Sequence, residues 1–311
     1  MFRKRIVFLI GPTASGKSKT AIILAKKLNA EIIACDSMQI YRKMDIITAK
    51  DTLAEQKKIK HHLIDVIDPD KEYNVAKYRK DALSICDRLF SKGKIPLFVG
   101  GTGLYYSIIV DGIFPKVSGS KSIRTKLYKQ LSEKGSLYLY NKLVKVDPAA
   151  SRKIHPNDSK RVIRALEVYL KTGKPISVLQ AKRTGLGKDY DVKAFGLNLK
   201  KELLYQRIGQ RIEKMFKFGL IREVKSLLKN KLSKTACCAI GVPELRGYFK
   251  GDYSLEEARE LMKRNSRRYA KRQLTWFRKD KRIKWINIKN KEKPSEIMRR
   301  IYNLVSASKQ S

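Results

Sequence analysis

Gly11-Pro12-Thr13-Ala14-Ser15-Gly16-Lys17-Ser18 is a complete phosphate-loop pattern, G-x-x-x-x-G-K-S. Glycines at that spacing let successive backbone N–H groups turn inward on an anion. Lys17 adds a point charge, and the Ser18 hydroxyl can hold Mg²⁺. An apolar run at 6–10 precedes the loop and a helix-compatible run at 19–28 follows it, the strand–loop–helix setting the motif needs. Such a loop grips a di- or triphosphate. On its own it suggests ATP binding but does not say whose phosphate is held.

Asp36-Ser37-Met38-Gln39 follows the strand-like run 31–35. A carboxylate at that edge could hold Mg²⁺ through water or take a proton from a nucleophile; Asp and Ser after a strand are equally ordinary turn formers. Gly100-Gly101-Thr102-Gly103 follows the next strong strand, 95–99, and so many glycines demand a sharp turn or a close approach. A kinase would be expected to carry an acidic metal-binding residue at the end of such a strand. None stands there.

Further along, residues 259–284 hold twelve Lys or Arg against two acids, with Tyr269, Trp276 and Phe277 interleaved. Arg264, Arg268 and Arg272 recur at helical spacing and form one cationic stripe, which repels itself unless an anion faces it. The other reading is a solvated helix face with Trp276 and Phe277 in the core. Arg207 and Arg211, one helical turn apart, could reach an anion in the same site.

The elements that must position these groups fall into two patterns. Up to about residue 112 strands and helices alternate: strands at 5–10, 31–35, 62–66 and 95–99, helices at 17–28 and 75–90. That alternation predicts an α/β fold, a phosphate-loop parallel sheet flanked by helices, with the ligand at the carboxyl ends of the strands. From 116 the strand signal vanishes and helices are expected at 121–133, 136–144, 148–154 and 159–172. A strand at 193–199, helices at 202–229 and 255–279, a strand at 283–288 and a frayed tail at 307–311 complete the reading. The domains are thus 1–115 with 190–311 as the core and 116–189 as a small all-helical insertion.

The chain has 311 residues and a formal charge of +41, from 70 Lys and Arg against 29 Asp and Glu. An excess of that size predicts a polyanionic partner, nucleic acid foremost. Cys35, Cys86, Cys237 and Cys238 have no zinc-ligand spacing with the three histidines and read as reduced thiols. No apolar run is long enough to span a membrane, so a cytoplasmic protein is expected.

In combination these motifs become specific. The phosphate loop, Asp36-Ser37-Met38-Gln39-Ile40-Tyr41-Arg42, Met44-Asp45, Thr48-Ala49-Lys50, His61-His62-Leu63-Ile64-Asp65, Gly100-Gly101-Thr102-Gly103-Leu104-Tyr105, Asn157-Asp158, Arg164-Ala165-Leu166-Glu167-Val168 and Tyr269-Ala270-Lys271-Arg272-Gln273-Leu274-Thr275-Trp276-Phe277-Arg278 resemble the tRNA dimethylallyltransferase family, in order and over essentially the whole chain. The resemblance implies transfer of a dimethylallyl group from dimethylallyl diphosphate to N6 of the adenosine 3′ to the anticodon, with release of diphosphate. It assigns residues 11–18, from Gly11 to Ser18, to the donor diphosphate with Mg²⁺, and Asp36 to the role of base. Lys17, Thr102 and Arg211 join Asp36 as catalytic groups. Asp36, Ser37, Met38, Gln39, Thr102 and Arg124 are assigned to RNA near the target base, and Lys160, Arg161, Val162, Ile163 and Arg164 to the anticodon stem-loop. A monomer is implied. Departures stand at Lys43 and Ile47, in place of small residues, and at Gly241-Val242-Pro243-Glu244, where an RNA contact is in doubt. The lack of a C-terminal zinc finger suggests the bacterial type. Two alternatives remain, an adenylate isopentenyltransferase acting on free AMP, ADP or ATP and a phosphate-loop nucleotide kinase. A non-catalytic RNA-binding protein is a third.

Overall fold

A computed structural model describes residues 4–113, 117, 119–187 and 189–307. The expected domain boundary at 115/116 and the end of the tail, 308–311, lie outside the described residues. The chain forms two compact units, Met1–Ile108 with Gly187–Ser311, and Ile109–Leu186.

The larger unit is built on strands β1 (Arg5–Ile10), β2 (Ala30–Cys35), β3 (His61–His62), β4 (Ile95–Gly100), β5 (Asp191–Asn198) and β6 (Ile283–Asn287). They form one parallel sheet in the order β3-β2-β4-β1-β5-β6. A parallel sheet covered on both faces needs strands that are apolar along their whole length. Residues 6–10 of β1 and all of β2 are buried accordingly. Phe8 stacks on Phe98 with ring centroids 4.6 Å apart and meets Tyr106 edge-on at 5.0 Å, tying β1 and β4 to helix Gly103–Val110. The α/β sheet anticipated above is therefore present.

Two elements differ from expectation for local reasons. The strand expected at 62–66 ends at His62, because Leu63 and Asp65 take left-handed φ values of 60° and 54°. The chain turns there, and the Asp65, Val66 and Ile67 amides bond back to the carbonyls of Gln39 and Ile40. The single helix expected at 202–229 is two, Lys201–Lys217 and Leu220–Leu227, broken by Gly219 at φ 96°.

The smaller unit is helical: Lys121–Val146, with non-helical backbone at Gly135, then Pro148–Ser151, Ser159–Thr172 and Ile176–Ala181. Its core is made by Leu127, Leu139, Leu143, Val162, Ile163 and Leu166 with their neighbours. Two buried acids staple it. Asp147 accepts from the Ala150 amide and from the Ser177 amide and hydroxyl, and Glu167 pairs with Arg124 and Arg164 at 2.8 and 2.7 Å.

At the carboxyl end of the sheet, Gly100 stands opposite Cys35, and a Cβ there would lie 2.1 Å from the Cys35 carbonyl oxygen. The obstacle is backbone on both sides, so the strands themselves must part. Gly100→Ala is expected to cost about 3 kcal/mol, read as a lower denaturant midpoint. An unchanged midpoint would show that β2 and β4 can shift freely.

Candidate active site

The carboxyl ends of β1, β2 and β4 open onto a cavity of about 810 Å³ lined by residues of the larger unit. Thr13, Ala14, Ser15, Gly16, Lys17 and Ser18 form its floor. Gly11 and Pro12 are buried just behind. The loop opens directly into helix Lys17–Leu28, whose unpaired N-terminal amides favour an anion. Lys17 Nζ donates to the carbonyls of Gly11 and Pro12 at 3.0 and 2.6 Å.

Asp36, Ser37, Met38 and Gln39 line the wall reached from β2. Asp36 Oδ1 accepts from the Met38 amide at 2.9 Å, an Asx turn, so the turn-former reading holds and leaves the second carboxylate oxygen for the cavity. Thr102 Oγ1 accepts from the Ser37 amide at 3.0 Å, and the Thr102 amide donates to Cys35 at 3.0 Å. The glycine turn thus fixes the angle at which Asp36-Ser37 leaves the strand. Arg211 arrives from helix Lys201–Lys217, donating to Thr13 Oγ1 at 3.0 Å and to the Thr48 carbonyl at 3.4 Å. Arg207, one turn earlier, lines the same cavity.

The electrostatics favour an anion. Burial, and then Arg211 beside it, lower the Lys17 ammonium to about 7, with Asp36 opposing the shift. Burial also lowers Arg211, again opposed by Asp36. Two desolvated cations beside one carboxylate form a site whose charge is completed by an incoming polyanion. Burial pushes the Cys35 thiol up to about 12, which removes it from nucleophilic chemistry.

Three side chains of this site escape sequence reasoning as individuals. Gln273, buried, accepts from the Thr13 amide and donates to the Gly101 carbonyl, both at 2.9 Å. Tyr269 lines the cavity one helical turn before it, its phenol raised by burial and by Asp36. Glu223 holds the loop that carries Thr48. Their partners are far away in sequence, and only the motif around Tyr269 and Gln273 hinted at them.

The remaining expected contacts fall elsewhere. Arg124, Lys160, Arg161 and Arg164 belong to the smaller unit and do not line the cavity. Residues 160–164, expected at the anticodon stem-loop, are divided by their helix between core and surface. Val162 and Ile163 are core residues, 1% and 2% exposed, because helix Ser159–Thr172 turns them inward. Lys160 and Arg161 face outward, while Arg164 is partly spent on Glu167. Glu244 is also internal, accepting from the Gly241 amide at 2.6 Å and from Asn265 at 2.7 Å. Arg264, Arg268 and Arg272 are exposed on helix Leu255–Phe277, as a stripe requires. Phe277 is buried as the alternative reading had it, but Trp276 is 45% exposed and packs over Gly103.

A family model described as IPP transferase matches residues 39–280, and one described as isopentenyl transferase matches residues 4–67. This chain belongs to the IPP transferase family. It is 48% identical over 303 residues to the tRNA dimethylallyltransferase of Thermoanaerobacter sp. (strain X514), covering 96% of each chain. With that of Alkaliphilus oremlandii (strain OhILAs) it shares 48% over 291 residues and 93% of each chain. Among solved structures it resembles the full-length tRNA isopentenylpyrophosphate transferase of Bacillus halodurans, at 39% identity and TM-score 0.72, covering 98% of this chain and 96% of that one. It also resembles a eukaryotic dimethylallyltransferase acting on tRNA, at 31% identity and TM-score 0.80, over 98% and 79% of the two chains. The chain is therefore a transferase of this family, as the motifs implied.

The lowered Lys17 ammonium gives a pH test. Below pH 7 Lys17 is charged in the free protein; above it, an arriving diphosphate must bring the proton back. Affinity for inorganic diphosphate should fall by up to about tenfold per pH unit above 7. Calorimetry in buffers of different ionisation heat should show proton uptake at pH 8 and little at pH 6, after correction for the ligand. No uptake at pH 8 would mean that Lys17 stays charged in the free site.

Proposed function

We propose that this protein transfers a dimethylallyl group from dimethylallyl diphosphate to N6 of the adenosine 3′ to the anticodon of tRNA, releasing diphosphate. The observation that carries the reading is the meeting of Asp36 with the phosphate loop and Arg211 across one cavity, with no acid at the end of β4. A kinase needs that acid to organise its metal. A prenyl transfer needs instead a base for the amine and a neutralised leaving group.

The residues divide that work. An adenine amine is a weak nucleophile, and a carboxylate that accepts its proton as the C–N bond forms lowers the barrier. Asp36, with one oxygen held by the Met38 amide, is the group placed for it. The allylic carbon becomes cation-like as its C–O bond to the diphosphate breaks, so stabilisation centres on the departing anion. The loop amides, Lys17 and Arg211 face that anion. Thr102, through the Ser37 amide, keeps Asp36 at its angle. The apolar side chains of Ile47, Ile212, Met215 and Met262 in the cavity wall suit the dimethylallyl group and exclude water from the carbon.

Among the described residues no group of three or more His, Cys, Asp or Glu could hold a metal. The Ser18 hydroxyl on the cavity floor fits an ion bound chiefly through diphosphate oxygens and water, the usual habit of Mg²⁺. Bound there, Mg²⁺ would neutralise part of the diphosphate charge. The target base must leave its stack to reach Asp36, and a single-stranded loop releases a base at least cost. The exposed stripe of Arg264, Arg268 and Arg272 supplies phosphate contacts on the larger unit, and Lys160 and Arg161 are among the outward cations of the smaller one. We assign the protein to the cytoplasm, acting as a monomer. Among the described residues no helix is long and apolar enough to cross a membrane.

Labelled dimethylallyl diphosphate and tRNA should yield labelled RNA, and free AMP should compete poorly; labelled AMP with unlabelled RNA would favour the free-nucleotide alternative. Asp36→Asn is expected to lower turnover by roughly two orders of magnitude or more, with tRNA affinity nearly unchanged. An unaltered rate would take the base role from Asp36. Arg264→Glu with Arg268→Glu should weaken tRNA binding and reduce the slope of log affinity against log salt by about one unit per lost contact. A slope equal to that of the parent protein returns the stripe to a solvated surface.

A further inference from the structure

The segment from Asp45 to Ala49 forms part of the cavity wall, yet it lies in no helix or strand. Its backbone amides must find partners elsewhere. Three successive ones converge on one side chain. Glu223 Oε2 accepts from the Asp45 and Ile46 amides at 3.0 and 2.8 Å, and Oε1 accepts from the Ile47 amide at 2.9 Å. Consecutive amides turned to one side form an anion-binding concavity, and here the chain's own carboxylate fills it.

Glu223 sits in the first turn of helix Leu220–Leu227. An acid there ordinarily favours its own helix terminus; both oxygens of this one are turned away, onto the loop. The far side of the loop is held by opposite charge. Lys50, with its side chain only 3% exposed, donates to the Tyr41 carbonyl and to the carboxylates of Asp45 and Asp65. Between the two clamps the Thr48 hydroxyl bonds to Met44 at 2.6 Å, and Ala49 is left at φ 47°.

What this arrangement delivers to the site is a carbonyl. The Thr48 oxygen accepts from Arg211 Nη2, while Nη1 of the same guanidinium reaches Thr13 on the phosphate loop. Gln39 Nε2 leans on the Thr48 and Ala49 carbonyls at 3.4 Å. A guanidinium is planar, so fixing one of its nitrogens fixes the direction of the other. We propose that Glu223 is a positioning residue for the donor diphosphate: by clamping the amides of Asp45, Ile46 and Ile47 it sets the Thr48 carbonyl that aims Arg211 at the phosphate loop. The consequence for turnover rests on the prenyl-transfer reading; the effect on anion binding does not.

The full-length protein carrying Glu223→Ala, and separately Glu223→Gln, provides the test. Glu223→Ala should raise the KM for dimethylallyl diphosphate by about tenfold and leave the KM for tRNA within about twofold. The Kd for inorganic diphosphate, measured by calorimetry, should rise by the same factor. In an Arg211→Ala background, removing the Glu223 carboxylate should change that Kd by less than about twofold, because both substitutions break one chain of contacts. Glu223→Gln keeps the shape and one acceptor, and should fall between parent and Glu223→Ala; it carries the measurement if the alanine protein does not fold. Equal losses toward donor and tRNA would reveal general unfolding of the wall and overturn the proposal, as would an unchanged diphosphate Kd. Additive effects of the Glu223 and Arg211 substitutions would overturn it as well. If no prenyl transfer is seen in the parent protein while the diphosphate Kd still shifts, the positioning role stands and the assigned reaction falls.

Discussion

The amide of Gln273 lies where three parts of the larger unit converge. It accepts from the Thr13 amide of the phosphate loop and donates to the Gly101 carbonyl of the glycine turn. A Cβ on Gly101 would lie 2.1 Å from its Nε2, so the glycine is what lets the two come together. An amide side chain is suited to this place because it carries a donor and an acceptor on one rigid plane. Once Gln273 is seated, the helix Leu255–Phe277 has a fixed rotation. Tyr269 and Arg272 then face the cavity, and Arg264 and Arg268 stay outside. The cationic stripe and the phosphate loop are thereby held in one frame by a buried hydrogen-bonding group whose loss would leave two backbone groups unpaired, at about 1–3 kcal/mol each.

The charge of the chain is easier to understand once the acids are followed inward. Glu167 and Glu244 are buried, and Glu31, on β2, sits between His62 and Lys94. Asp147 caps a helix, and Glu223 is committed to backbone amides. Burial raises each carboxyl that it desolvates, but bonds from Arg164 and Arg124 leave Glu167 below its ordinary value, and bonds from Lys94 and His62 do the same for Glu31. These acids act as internal fasteners. The cations that outnumber them are mostly left on the surface, so the excess of +41 is expressed where a nucleic acid can meet it.

How much of this was legible in the sequence follows the range of the interactions. The phosphate loop and its strand–helix setting are local, and β1 and helix Lys17–Leu28 run between the residues the pattern indicates. The apolar runs marked the sheet strands within a residue or two for the same reason, except where Leu63 and Asp65 turn left-handed, a choice that depends on contacts with Gln39 and Ile40 rather than on side-chain type. Residues 160–164 carry a cationic pattern, but helical periodicity divides them between core and surface, so a run in sequence is not a face in space. Glu223 and Gln273 were invisible as site residues because their partners lie 176–178 and 260 or 172 positions away. No local pattern encodes a carboxylate reserved for amides so remote.

A phosphate loop evolved into a nucleotide kinase must present its terminal phosphate to an acceptor, so the metal and its acid carry the geometry. When the same loop holds a leaving group, the reacting centre is a carbon outside the loop, and the requirement moves from the phosphate to what lies beyond it. The end of β4 shows the shift. Where an acid would organise a metal, Gly100 and Gly101 press against Cys35 and Gln273, and the next side chain, Thr102, supports the turn that carries Asp36. The carboxylate that lines the cavity, Asp36, stands instead at the end of the neighbouring strand β2. Lys17, bonded to the carbonyls of Gly11 and Pro12, is lowered to about 7 by burial and by Arg211, so its charge is the one that an anion beside it would favour.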